Sequence, residues 1–148
     1  MMPMISIACG DRQGSNVVFQ CRRMLFCYNS FMNRVDLAVK RDEYRELLRR
    51  SVDTVVSRLA GPAVERISLF GSYARGRADL FTDLDILVIM QTDRPFIERA
   101  GELHSLLSLP VDADVICYTP EEFRRMRDSA FVRKILEDEV VLYEKKSG

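Results

Sequence analysis

The chain has 148 residues, 47% hydrophobic and 30% charged, with 22 Lys+Arg set against 22 Asp+Glu. Such a length and mixture suit one globular domain with a real core and exclude a disordered chain. A net charge of zero argues against a protein that coats nucleic acid through a general basic surplus, while leaving room for a local basic patch.

The four cysteines, Cys9, Cys21, Cys27 and Cys117, contain no CxxC pair. The expectation is reduced thiols in a cytoplasmic protein. His104 is the only histidine, which removes a histidine-based zinc site. No apolar run approaches the ~18 residues of a membrane span. The opening residues lack the basic start of a signal peptide, so none is expected.

Residues 1–38 carry few charges and no clear period of 3.6 or 2. The stretches 17–19 and 24–28 have the composition of short strands. The whole segment reads as an extension that the fold does not need, with Met32 as an alternative start. The main domain is expected over 39–146.

From Lys40 a helical pattern emerges. Tyr44, Leu47, Leu48, Val52, Val55, Val56 and Leu59 recur at helical spacing, with Arg45, Glu46, Arg49, Arg50, Asp53 and Arg58 opposite. Gly61-Pro62 stops it. Residues 64–70 read as a strand ending at Gly71, then a short helix from Ser72 that breaks at Gly76. Residues 84–90 form a near-continuous apolar run of strand length, which implies a buried central strand. A second helix is expected over 93–109, ended by Pro110, and a third strand over 111–118. Thr119-Pro120-Glu121-Glu122 has the order of a capped helix start. A last helix over 131–137 leads into the apolar residues 140–143.

The strand–helix–strand unit over 84–118 should make its two strands parallel. The strand over 64–70 joins 84–90 through a loop and one helical turn, so it should run antiparallel. The expected fold is α/β (α+β): a small mixed β-sheet with helices packed on it.

Chemistry concentrates in Leu69-Phe70-Gly71-Ser72-Tyr73-Ala74-Arg75-Gly76-Arg77 and in Thr82-Asp83-Leu84-Asp85-Ile86-Leu87-Val88. A strand that turns through Gly-Ser into a helix presents free N–H groups suited to a phosphate. Gly71 allows close approach, Ser72 adds a hydroxyl, and Arg75 and Arg77 can add positive charge. Taken alone, a Gly-Ser turn is usually only a turn. Asp83 and Asp85, two apart on a strand, leave the same face. Their mutual repulsion is relieved by a divalent cation, and all-oxygen ligation suits Mg²⁺. A third carboxylate comes from the next strand, where Asp112 and Asp114 also share one face. Alternation leaves that choice open. Three carboxylates beside a phosphate-binding turn fit a two-metal phosphoryl-transfer site.

Gly71-Ser72, Gly76 and Thr82-Asp83-Leu84-Asp85 before an apolar strand resemble the signature of the DNA polymerase beta-like nucleotidyltransferase superfamily. The match is best to its minimal nucleotidyltransferase (MNT) domains, which include antitoxins paired with HEPN-domain toxins. The stretches 115–123, 131–136 and 140–143 resemble the same family, so the likeness covers about residues 40–145. Thr82 stands where serine is commoner. The resemblance implies that Gly71 and Ser72 hold a triphosphate and that Asp83 and Asp85 ligate metal. It also puts the usual aspartate five residues before Thr119, at Asp114, as the third ligand. Two Mg²⁺ ions, ATP and a partner HEPN-type toxin modified on a tyrosine are implied. A chain this short has little room for an acceptor-binding domain, so the acceptor site would come from a partner or a second copy. The other readings are a binding module that neutralises a partner by contact alone, and an antibiotic-modifying nucleotidyltransferase. Tyr73 and Phe81 flank the loop as candidate base-stacking or packing residues, and His104 reads as packing or surface.

Overall fold

The computed structural model describes residues 17–146, with side chains from residue 36 onward. The opening segment and Cys9 lie outside the described residues, as do the side chains of Cys21 and Cys27. The chain divides into two units, Met1–Ala38 and Val39–Gly148.

The described part of the first unit is helical. The helix α1 (Val17–Leu59) includes both 17–19 and 24–28, so the expectation of strands there is corrected. Its start at Val17 is also far upstream of the periodicity seen from Lys40. The physical reason is that no glycine or proline interrupts residues 17–59. A helix without breakers persists even where it lacks an apolar stripe.

In the second unit the stripe behaves as its spacing requires. Leu48, Val55 and Leu59 are buried, with Tyr44 and Val52 packed beside them. On the exposed side Arg49 pairs with Glu46 at 2.9 Å and Asp53 at 3.0 Å, and Arg50 with Glu46 at 3.0 Å. Pairs this exposed to solvent contribute little to stability. The helix ends as expected just before Gly61-Pro62.

The remaining elements are β1 (Val64–Phe70), α2 (Gly71–Ala74), β2 (Leu84–Met90), α3 (Phe96–Leu107), β3 (Ala113–Tyr118), α4 (Pro120–Met126), α5 (Ala130–Glu137) and β4 (Val140–Glu144). They build a four-stranded mixed sheet in the order β3-β2-β1-β4. β1 runs antiparallel to β2 and β4, and β2 runs parallel to β3, as the connection lengths dictate. The α/β fold class is therefore the observed one.

Alternation along the central strands divides the core into two layers. Ile67, Leu69, Leu84, Ile86, Val88 and Cys117 face α1 and α3, whose Leu103 and Leu107 join them. Leu87, Ile89 and Tyr118 face the opposite way, onto Val132 and Ile135 of α5 and Phe123 of α4. Both faces of β2 are thus covered, which explains its unbroken apolar run. Cys117 is a buried free thiol, and burial pushes it up to about 11.

Two caps fix the helices on the second face. Thr119 accepts from the Glu122 N–H at 3.2 Å, while the Glu122 carboxylate accepts from the Thr119 N–H at 2.9 Å. Ser129 caps α5 by accepting from the Val132 N–H at 3.2 Å. Glu122 also receives the buried Arg99 of α3 at 2.5 Å. Among the described residues, no helix is long and apolar enough to cross a membrane.

Candidate active site

The site lies where β1 ends and β2 and β3 begin. Phe70, Asp85 and Asp114 occupy one rank across these strands, because Phe70 pairs with Asp85 and Asp85 with Asp114. Asp83 lies one step before β2 and is exposed, as is Asp114, while Asp85 is half-buried. The acidic residues share the face of Leu87 and Ile89, the α4–α5 side. Asp112 precedes the paired rank, and its carbonyl accepts from the Leu84 N–H at 3.0 Å.

Gly71 makes the turn out of β1 with a φ of +71°, in the left-handed region. That turn aims the Ser72 backbone N–H toward the Asp85 carboxylate. The single turn of α2 closes through Arg75 N–H to Gly71 O at 3.2 Å, and Gly76, at φ +79°, redirects the chain. The Gly-Ser turn and Asp85 of the acidic pair are therefore in direct contact.

Burial raises the Asp85 carboxyl above its ordinary range, and the charges of Asp114 and Asp83 push it further. Arg75 and the Ser72 N–H act in the opposite direction. Two neighbouring carboxylates thus crowd Asp85, with Arg75 as a partial counterweight. Among the described residues, no group of three acidic, histidine or cysteine side chains is drawn together as tightly as a bound ion would hold it.

Arg75 is within electrostatic reach of Asp85, but its guanidinium pairs with Asp138 at 2.5 Å. Asp138, just after α5, drew no attention in the sequence. Arg77 is exposed, and its guanidinium forms no ion pair among the described residues. His104 lies on the surface of α3. Tyr73 packs against the core, whereas Phe81 is 93% exposed.

The loop that carries Asp83 is gripped by one face of α1. Arg41 Nε reaches Asp79 Oδ1 at 3.1 Å, Tyr44 OH donates to Thr82 O at 3.1 Å, and Arg45 Nε donates to Ala78 O at 3.0 Å. These residues, at positions i, i+3 and i+4, project from one side of the helix. Within the loop, Thr82 Oγ1 accepts from the Asp79 N–H at 2.8 Å. Thr82 is therefore a loop-closing hydroxyl, a role that serine would fill equally. Burial raises the Tyr44 hydroxyl above its ordinary value, and Asp83 and Asp112 raise it further. Sequence reasoning read Tyr44 only as part of an apolar stripe. Its signal was the polar pair Arg41 and Arg45 flanking an amphipathic aromatic.

A Methanocaldococcus jannaschii protein named "Putative protein adenylyltransferase MJ0604" is 33% identical over 97 residues, which span 65% of this chain and 94% of that protein. Among solved structures, a "putative nucleotidyltransferase" from Sulfolobus solfataricus is 21% identical with a TM-score of 0.47, covering 76% of this chain and 90% of that one. A tri-AMPylated Shewanella oneidensis HEPN toxin in complex with an MNT antitoxin is 21% identical with a TM-score of 0.33, covering 74% and 73%. Residues 48–146, which hold the Gly-Ser turn and Asp83, Asp85, Asp112 and Asp114, match the nucleotidyltransferase domain family. The chain belongs to that family.

Proposed function

We propose that the protein transfers AMP from ATP to a hydroxyl on a partner protein, a tyrosine of a HEPN-type toxin, and so acts in the cytoplasm as an antitoxin. The observation that carries the proposal is the contact of the Gly71-Ser72 turn with Asp85, with Asp83 and Asp114 beside it. The 33% identity to a protein named for protein adenylylation supports AMP as the transferred group and a protein as the acceptor.

The donor set fits divalent metal. Asp114 and Asp83 raise the cost of ionising Asp85, the situation that an oxygen-seeking cation relieves. Asp83, Asp85 and Asp114 would hold two Mg²⁺ ions, which when bound supply charge neutralisation for the triphosphate and acidify the attacking hydroxyl. Ser72 would release its N–H from Asp85 to a phosphate oxygen, with Gly71 leaving space for the approach. Arg75 can serve the leaving pyrophosphate only by giving up part of its pairing with Asp138. Arg77 has no such tie and is the freer of the two.

The test is label transfer. With Mg²⁺ and a co-expressed HEPN-type partner, label from the α-phosphate of ATP should appear on a partner tyrosine, and label from the γ-phosphate should not. A partner that is inhibited while carrying no AMP would replace this reading with neutralisation by contact.

A further inference from the structure

At the other end of the sheet, on the same α4–α5 face, the surface opens into a cavity of about 830 Å³. Its apolar wall is Ile89, Phe123 and Leu136, and its cations are Arg66, Arg124, Arg127, Lys145 and Lys146. Asp85 and Ile89 are four residues apart on β2, or roughly 13 Å at about 3.3 Å per residue. Leu87, Val132 and Ile135 are buried between the two ends. The cavity is therefore separate from the carboxylate site.

Its charge is unbalanced. Arg66 is paired with Glu139 and Glu144, but among the described residues none of the other four cations makes an ion pair. Lys145 Nζ donates to Pro62 O at 2.8 Å and Arg124 Nε to Pro120 O at 3.3 Å, which are neutral acceptors. Of the carboxylates lining the cavity, Glu144 is already engaged by Arg66 at 2.6 Å. Glu65 accepts from Gln91 Nε2 at 3.1 Å. In a chain with no net charge, four cations without carboxylate partners around one concavity form a segregated positive field.

We propose that this cavity is a second ligand site, for a small polyanion that carries a planar apolar body, the chemistry of a nucleoside diphosphate. Its volume lies within the ~300–1,000 Å³ of small-molecule sites, which combine apolar walls with a few polar groups. Arg127 and Lys146 face the phosphate oxygens, and Arg supplies the forked geometry that phosphate favours. Phe123 and Ile89 take the base. Because no carboxylate cluster is involved, binding here needs no divalent metal. That separates it from the triphosphate site of the proposed transfer reaction.

The probe is a fluorescent ADP analogue titrated into the full chain in excess EDTA, with inorganic pyrophosphate as competitor. Wild type should bind, and pyrophosphate should displace the probe. Affinity should fall at least tenfold in Arg127→Glu/Lys146→Glu and stay unchanged in Asp83→Asn/Asp85→Asn. Should the charge reversal disturb folding, the neutral Arg127→Gln/Lys146→Gln, checked by circular dichroism, should still weaken binding severalfold. Absence of binding in EDTA overturns the proposal, as does binding that survives the cavity substitutions or is lost in the aspartate variant. Binding of fluorescently labelled polyglutamate without any binding of the ADP analogue overturns it in favour of an acidic peptide surface.

Discussion

A methyl group on Gly71 would overlap Oδ2 of Asp85 and stand 2.9 Å from its Cγ. The turn and the carboxylate are therefore packed to a distance that only glycine permits, and the φ of +71° independently disfavours any other residue. Gly71→Ala should cost about 1–2 kcal/mol in backbone strain alone. The displaced Asp85 carboxylate should lower transfer by a larger factor than that loss of stability explains. Denaturant melts together with single-turnover rates check this, and an unchanged rate in a folded variant would contradict it.

Asp85 itself predicts how the free protein responds to charge. Its carboxyl is raised in the folded state, first by burial and then by Asp114 and Asp83. A raised carboxyl binds its proton more tightly in the folded chain, so stability falls as pH rises through the folded-state value. Below the ordinary carboxylate range that penalty vanishes. Asp85→Asn should therefore raise the melting temperature of metal-free protein at neutral pH. Mg²⁺ should stabilise the wild type and leave the variant unchanged. A variant less stable than wild type in EDTA would show that the Ser72 N–H contact outweighs the repulsion.

These relationships were legible in the sequence to different depths. The β2 run and the Thr119–Glu122 cap were readable because each depends on neighbours within a few residues, whereas α3, expected over 93–109, spans Phe96–Leu107 and closes on Ser108 in the left-handed region rather than at Pro110. The acidic pair was readable because strand alternation puts Asp83 and Asp85 on one face. Long-range partners were not. Nothing local links Arg75 to Asp138, 63 residues away, or Tyr44 to Thr82, 38 residues away. The stretch from Val17 to about Lys40 was misread for a different reason. Periodicity reports burial, and a helix without an apolar stripe leaves no trace in it.

The grip of α1 on the Asp83 loop gives a prediction at Tyr44. Removing its hydroxyl in Tyr44→Phe deletes one hydrogen bond to Thr82 O, worth about 0.5–1.5 kcal/mol. The aromatic ring stays packed, so the fold should survive. Because the bond holds the residue next to Asp83, kcat should drop severalfold while the KM for ATP changes little. Arg41→Ala and Arg45→Ala should act more weakly, since those side chains are exposed at their loop contacts. A Tyr44→Phe enzyme with wild-type kcat would reduce the contact to packing.

The Arg99–Glu122 pair predicts a pH window. Hydrogen bonds from Arg99, then from the Thr119 N–H, lower the Glu122 carboxyl from 4.5 to about 2. A carboxyl depressed on folding contributes stability above its unfolded value, and the contribution is lost as pH falls through the folded value. Glu122→Gln should thus cost about 1.5–3 kcal/mol at pH 7, because it breaks a charge-assisted bond to a buried arginine and weakens the α4 cap. The difference from wild type should shrink between pH 4.5 and about 2. Urea melts at pH 7 and pH 3 measure it, and a constant difference would mean that packing alone is lost.

The last prediction decides between Asp114 and Asp112. Alternation leaves both on one face, but register separates them. Asp114 stands opposite Asp85 in the parallel ladder, and its charge contributes to raising the Asp85 carboxyl. Asp112 precedes the paired rank, and its charge acts on Tyr44 instead. Its backbone carbonyl is tied to the Leu84 N–H, which a side-chain substitution leaves intact. The proposed metal-holding role requires a third carboxylate that converges with Asp85, and Asp114 is the one placed opposite it. Asp114→Asn should therefore lower single-turnover transfer by orders of magnitude, as expected when a transition-state interaction is removed. Asp112→Asn should cost no more than about tenfold, near 1.4 kcal/mol of barrier. The second effect would come from a shifted Tyr44 and Asp83 loop, so it should be matched by Tyr44→Phe and add little to it in the double variant. Near-complete loss of transfer in Asp112→Asn, with Asp114→Asn left active, would move the third carboxylate to Asp112.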